Sequence, residues 1–147
     1  RSLIPAAFLM VQKEVGERIC AKRGRERSAL TLSVEYFARA EYLFTIPKEY
    51  FTPVPKVDSA FIGIHMKERE EIAKQIPEEL FFKYVKAGFW NKRKNLVNNF
   101  SSLGFSKTEI KESLIKLGIA ENERAENLSL QEWFSVIETL ERSSIGE

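Results

Sequence analysis

Two stretches of this sequence carry side chains whose types and spacing suit chemistry. The first is Phe51-Thr52-Pro53-Val54-Pro55-Lys56-Val57-Asp58-Ser59. Pro53 and Pro55 fix their own φ and push Thr52 and Val54 toward extended backbone, so the loop is stiff. A stiff loop can hold the Phe51 ring at a fixed height, with Lys56 close by, although an isolated phenylalanine more often plugs the core beneath its loop. The second is the run from Phe81 to Phe100, where Lys83, Lys86, Lys92, Arg93 and Lys94 are accompanied by no acid and Trp90 lies among them. Cations around an aromatic suit phosphate contacts with a stacking or cation–π option. Lysines on a helix are usually a solvated face, but the absence of acids over so long a run favours a polyanionic partner.

Other chemistries are excluded by composition. The chain has 147 residues and a formal charge of only +2, from 23 basic and 21 acidic residues, so it is the distribution of charge that informs. Between Glu121 and Glu147 seven glutamates face only Arg124 and Arg142, so this end would be repelled by the polyanion that the Phe81–Phe100 run attracts. Cys20 is the only cysteine and His65 the only histidine, which rules out an internal disulfide and a zinc-ligand cluster. Both are expected to have packing or surface roles rather than to react. No run approaches the roughly 18 apolar residues of a membrane span, and Arg1-Ser2-Leu3-Ile4-Pro5 lacks a signal-peptide pattern. A soluble, cytoplasmic protein with no metal and no membrane association is expected.

The elements that must position these residues follow from periodicity. Ala7–Gln12 predicts a buried strand feeding a helix over Lys13–Lys22, with Val15, Ile19 and Cys20 at helical spacing. Lys22–Arg27 predicts an exposed basic loop, Leu30–Ala40 a second helix, and Tyr42–Ile46 and Ala60–His65 two strands. After Met66 the pattern becomes charged and helical, with residues 67–76 joining two units. Pro77 suits a first helical position. Ser106 with Glu109 and Ser129 with Glu132 predict capping boxes, and Gly118 predicts a helix end. Taken as one helix at about 100° per residue, Phe82, Val85, Phe89, Leu96, Phe100 and Leu103 form an apolar stripe. Lys83, Lys86, Trp90 and Lys94 then form a cationic face, Arg93 lies at its edge, and Lys92 falls on the apolar side, where it would snorkel or bridge the units.

Three patterns in register resemble the ribosomal RNA adenine dimethyltransferase family. Met10-Val11-Gln12-Lys13-Glu14-Val15 looks like a strand-to-helix step late in the family's Rossmann-like sheet. Phe51–Ser59 matches Phe-x-Pro-x-Pro-Lys-Val-x-Ser. Phe89–Leu96 together with Arg124-Ala125-Glu126-Asn127-Leu128-Ser129 resembles a basic segment and a late Arg-x-Glu-x-Leu-Ser signature. The chain departs from the family at Asn91 and Lys92, where glutamine and arginine are usual, and at Trp90, where a smaller residue is usual. No glycine-rich strand-to-helix turn, acidic ribose-binding position or Asn-x-Pro-aromatic motif is found in the sequence, so the resemblance is to the family's C-terminal portion.

The resemblance implies an α/β fold. Residues 1–66 would be the C-terminal part of a Rossmann-like methyltransferase sheet, and residues 67–147 a small all-helical RNA-binding domain. It implies an enzyme that uses S-adenosylmethionine to dimethylate two adjacent adenines of small-subunit (16S) rRNA during ribosome biogenesis, acting as a monomer on the pre-30S subunit. Phe51 would stack on the target adenine, with Pro53, Pro55 and Lys56 supporting it. Lys83, Lys86, Trp90, Lys92, Arg93 and Lys94 would contact RNA. Catalytic and donor-binding residues would lie elsewhere in the full-length protein, leaving this chain alone inactive. Two alternatives stand beside this: a large-subunit, macrolide-resistance type of adenine methyltransferase, and a non-catalytic RNA-binding or ribosome-assembly factor.

Overall fold

The computed structural model describes residues 4–146; Arg1, Ser2 and Leu3, on which the leader reading partly rests, lie outside them, as does Glu147. The chain divides into two compact units, Arg1–Ile72 and Ala73–Glu147, parted within the 67–76 stretch.

In the first unit, strand β1 (Ala6–Gln12) passes without a loop into helix α1 (Lys13–Cys20), and helix α2 (Ala29–Phe37) passes directly into strand β2 (Ala38–Ile46). Strand β3 (Ser59–Met66) lies between the other two and is antiparallel to both, giving the order β1-β3-β2. The twofold periodicity of a strand puts Ala60 and Ile62 on one face, where they are buried with Ile19. Val15 and Cys20 from α1, Val34 from α2, and Val11, Ala40, Tyr42 and Ile64 from the strands complete this core. The helix can sit this close because position 16 is glycine: a Cβ on Gly16 would come within 2.6 Å of the Ala60 Cβ. On the opposite face Phe61 stacks between Phe8 and Phe44, at centroid distances of 6.3 and 5.1 Å, yet Phe8, Met10 and Phe44 remain more than half exposed.

Three expectations are corrected in this unit. The first strand is not buried: no residue of β1 is fully buried, and Phe8, Leu9 and Met10 are exposed, because among the described residues β1 lies at the edge of the sheet and pairs only with β3. The second helix ends at Phe37 rather than Ala40, and its strand begins at Ala38 rather than Tyr42. The Ala38-Arg39-Ala40-Glu41 segment has helix-forming residues, but pairing Ala38–Glu41 against Met66–Gly63 overrides that weak preference. The Lys22–Arg27 segment is not uniformly exposed. Arg27 is 1% exposed, and its guanidinium donates to both carboxylate oxygens of Glu35 at 2.6 Å and to the Ala21 carbonyl at 3.0 Å. Next to it the Thr31 hydroxyl accepts from the Ser28 N–H and donates to the Arg18 carbonyl, tying α2 to the end of α1.

The second unit is helical. After the short α3 (Arg69–Ala73) at the division come α4 (Glu78–Gly88), α5 (Leu96–Phe100), α6 (Lys107–Lys116) and α7 (Leu130–Ile145). Phe81, Tyr84, Leu96, Phe100, Leu114 and Trp133 are fully buried in its core. Both predicted capping boxes form: Ser106 accepts from the Glu109 N–H while Glu109 accepts from the Ser106 N–H, and Ser129 and Glu132 repeat the exchange. Gly118, at φ +73°, closes α6, its N–H going to Ile115 and that of Ile119 to Leu114. Pro77 stands at the N-cap, one position before the helix starts.

Arg27→Met leaves the Glu35 carboxylate, 17% exposed, without its bidentate partner, and should lower the unfolding free energy by about 3 to 5 kcal/mol in denaturant titration. The double variant with Glu35→Met should recover most of that loss; no recovery would mean that Arg27 acts through packing alone.

Candidate nucleic-acid interface

The basic segment is not one helix. α4 stops at Gly88, residues 89–95 form a loop, and α5 begins at Leu96 behind an Asn95 cap whose side chain accepts from the Asn98 N–H. The cause is Asn99, which is buried although it is polar. Its side-chain amide donates to the carbonyls of Gly88 at 2.8 Å, Asn91 at 3.1 Å and Lys94 at 3.4 Å. In a continuous helix those carbonyls would accept from N–H groups four residues on; here one side chain gathers them. Gly88 also lies where a Cβ would meet the Trp133 ring at 2.5 Å, so the end of α4 packs directly on α7.

This break redistributes the cations. Lys83 and Lys86 remain exposed on α4 and share an open hollow with Trp90, as their helical spacing predicts. Lys94 does not join them. With Lys92 it lines a small hollow beside Arg124 and Glu126 instead, and Arg93 is exposed in the same loop. Lys92 is exposed too, rather than on an apolar stripe, because the helical phase assumed for it ends at Gly88. The Leu96 N–H donates to the Glu123 carbonyl at 2.9 Å, so the basic loop and the Arg124–Ser129 signature, far apart in sequence, are neighbours.

In the first unit the proline loop is held at its ends. The Asp58 side chain accepts from the Lys48 N–H and its carbonyl from the Lys13 N–H, both at 2.9 Å. The Phe51 N–H donates to the Lys48 carbonyl at 3.1 Å. Phe51 is half-buried, while Pro53, Pro55 and Lys56 are exposed; the Thr52–Pro53 peptide is cis. Asp58 and Asn99 were not singled out from sequence. The available signals were an aspartate ending a proline loop and an asparagine between Val97 and Phe100.

The remaining candidates for reactive chemistry are packed or isolated. Burial pushes the Cys20 thiol upward, with Lys22 opposing in part. His65 sits edge-on to Phe8. Among the described residues no cluster of three or more His, Cys, Asp or Glu could hold a metal ion, and no helix is long and apolar enough to cross a membrane.

Sequence comparison matches the family model for ribosomal RNA adenine dimethylase to residues 2–142. The chain belongs to that family. It is 57% identical over 141 residues to the ribosomal RNA small subunit methyltransferase A of Fusobacterium nucleatum subsp. nucleatum, covering 96% of this chain and 53% of the relative. To the protein of the same name from Clostridioides difficile it is 39% identical, covering 94% and 48%. The chain thus spans about half the length of these relatives. Among solved structures it resembles a dimethyladenosine transferase from Plasmodium falciparum, with TM-score 0.75 at 23% identity, over 98% of this chain and 60% of that one. The 23S rRNA methyltransferase ErmE follows, with TM-score 0.68 at 19% identity over 94% and 55%. These likenesses show an α/β methyltransferase-like fold.

Asn99→Ala would leave three loop carbonyls without their common donor. It should cost about 1 to 3 kcal/mol and raise amide exchange between Trp90 and Lys94 more than in α7. Uniform acceleration across the second unit would show that Asn99 stabilises the bundle rather than the loop.

Proposed function

We propose that this chain is the substrate-side, C-terminal portion of a small-subunit rRNA adenine dimethyltransferase that methylates two adjacent adenines of 16S rRNA. The observation that carries this is the family match running through nearly the whole chain, joined to a cationic surface whose acids are excluded from Phe81 to Phe100. The Fusobacterium and Clostridioides relatives both bear a small-subunit name, which favours that target over the large-subunit alternative. The open aromatic face of the sheet, and the outer edge of β1, which pairs with no strand but β3 among the described residues, suit a domain that continues beyond this chain.

S-adenosylmethionine is the family's methyl donor, and the described residues do not fit it. β1 enters α1 through Gln12 and Lys13 with no glycine-rich turn; the Lys13 N–H is taken by Asp58, and Gly16 is filled by contact with Ala60. Donor binding and the methyl transfer therefore belong to the rest of the enzyme. What this chain contributes is positioning. Phe51, on a loop pinned at Asp58, offers a flat face for the extruded adenine, while Lys83, Lys86, Trp90, Lys92, Arg93 and Lys94 hold the surrounding rRNA.

Replacing Lys83, Lys86, Arg93 and Lys94 with alanine should weaken rRNA binding by this chain. It should also flatten the log–log salt dependence by up to about 0.7 to 0.9 for each phosphate no longer neutralised. An unchanged slope after all four replacements means a solvated face. In the enzyme carrying its donor-binding half, Phe51→Ala should reduce kcat/KM about 5-fold to 150-fold, the loss of roughly 1 to 3 kcal/mol of base stacking. Phe51→Tyr and Phe51→Trp should restore much of it and Phe51→Leu little, measured as methyl incorporation into the precursor small subunit beside thermal melting. Full rescue by leucine, or a loss that merely follows the melting temperature, would make Phe51 a core plug.

A further inference from the structure

Trp90, just beyond the end of α4, stands with Lys83 and Lys86 around an open hollow of about 370 Å3, completed by Ala87, Ser102 and Leu103. Four features distinguish it from a solvated helix face. Trp90 is 78% exposed, whereas Trp133 is fully buried; an indole left in water forgoes the stabilisation that burial of so large a ring brings. Lys83 and Lys86 lie one helical turn apart, where like charges repel, and among the described residues no acid lines the hollow to relieve them. The lining between the two ammoniums and the indole is apolar, from Ala87 and Leu103. The volume falls within the roughly 300 to 1,000 Å3 typical of small-molecule sites.

We infer that this hollow binds one unpaired nucleotide of RNA, its base against the Trp90 indole and its neighbouring phosphates on Lys83 and Lys86. A flat aromatic gains from stacking on an exposed indole whichever base it is, and an anion between the two lysines removes their mutual repulsion. A paired duplex presents no free base face, so the site selects single-stranded or bulged RNA. The inference deepens the rRNA-binding reading and rests on it: it gives the stacking option at Trp90 a defined site, a ligand and a strand preference. Asn99 is the positioning residue, since its hold on the Gly88, Asn91 and Lys94 carbonyls sets where the chain carrying Trp90 leaves α4.

The 147-residue chain contains two tryptophans, and only Trp90 is open to solvent, so its emission reports occupancy. Titration with an unstructured adenosine oligoribonucleotide should quench it saturably. Followed by the fluorescence anisotropy of an end-labelled strand, an abasic strand of equal length should bind about 5-fold to 150-fold more weakly, as should Trp90→Ala with the ordinary strand. Trp90→Tyr should keep most of the affinity and Trp90→Leu should not. Trp90→Ala should leave the salt slope unchanged, whereas Lys83→Ala with Lys86→Ala should flatten it by about 1.4. Little change in melting temperature is expected for Trp90→Ala, because the ring is exposed. If the abasic strand or Trp90→Ala binds as well as its counterpart while the lysine variants still lose slope, the nucleotide site is wrong and the rRNA-binding reading stands. If the unmodified chain binds no RNA, both fall. Equal quenching by blunt duplex RNA or by adenosine monophosphate overturns the unpaired-strand assignment. An emission shift with phosphatidylserine vesicles in place of RNA overturns it in favour of a lipid surface.

Discussion

The side-chain amide of Asn99 decides what the second unit can present. A buried amide must be satisfied, and the partners it finds are three backbone carbonyls that a continuous helix would have used internally. With Asn99 holding them, α4 ends at Gly88 and the chain from Phe89 to Asn95 forms a loop in which Trp90, Lys92, Arg93 and Lys94 are exposed while Phe89 stacks on Trp133. The absence of a side chain at Gly88 lets that end settle onto Trp133, so the loop leaves from a fixed point rather than a fraying one. Everything cationic in the region is arranged around this exit.

One consequence is that a single run of basic residues serves two places. Lys83 and Lys86 stay with Trp90, while Lys92 and Lys94 turn toward Arg124 and Glu126. On the proposed rRNA-binding reading, cations spread over a loop and a helix would follow an irregular strand better than a straight lysine stripe. The C-terminal segment is acidic and would repel a polyanion. Part of its charge is engaged inside the unit: Glu141 accepts from the Tyr84 hydroxyl, whose own ionisation is pushed upward by burial and by that carboxylate.

The first unit solves a different problem, holding a loop stiff without burying it. The Asp58 side chain accepts from the Lys48 N–H and its carbonyl from the Lys13 N–H, so this one residue ties the two ends of the proline loop to each other and to the start of α1. α1 in turn is drawn onto β3 by the missing side chain at Gly16, and α2 is locked to α1 by Arg27 and Thr31. The loop therefore inherits the rigidity of the packed face of the sheet. On the other face Phe61 stacks between Phe8 and Phe44, which both remain more than half exposed.

Much of this was legible in the residues themselves because it is local. Capping boxes at Ser106 and Ser129 and the glycine stop at Gly118 depend on neighbours three or four positions away, and the alternation in Ala60–His65 depends only on strand geometry. The three family patterns were likewise read directly, and with them the family. What sequence did not show depends on partners far along the chain. Ala38–Glu41 extends because β3 lies beside it, and Arg27 is buried because Glu35 and Ala21 converge on it. The continuous helix expected from Phe82 to Leu103 breaks because Asn99 folds back on Gly88. In each case the local preference is worth only a few tenths to about 1 kcal/mol per residue, and a tertiary hydrogen bond or strand pairing outweighs it. The sequence alone therefore determined which residues are cationic, aromatic and stiff; only the tertiary structure decided which of them meet.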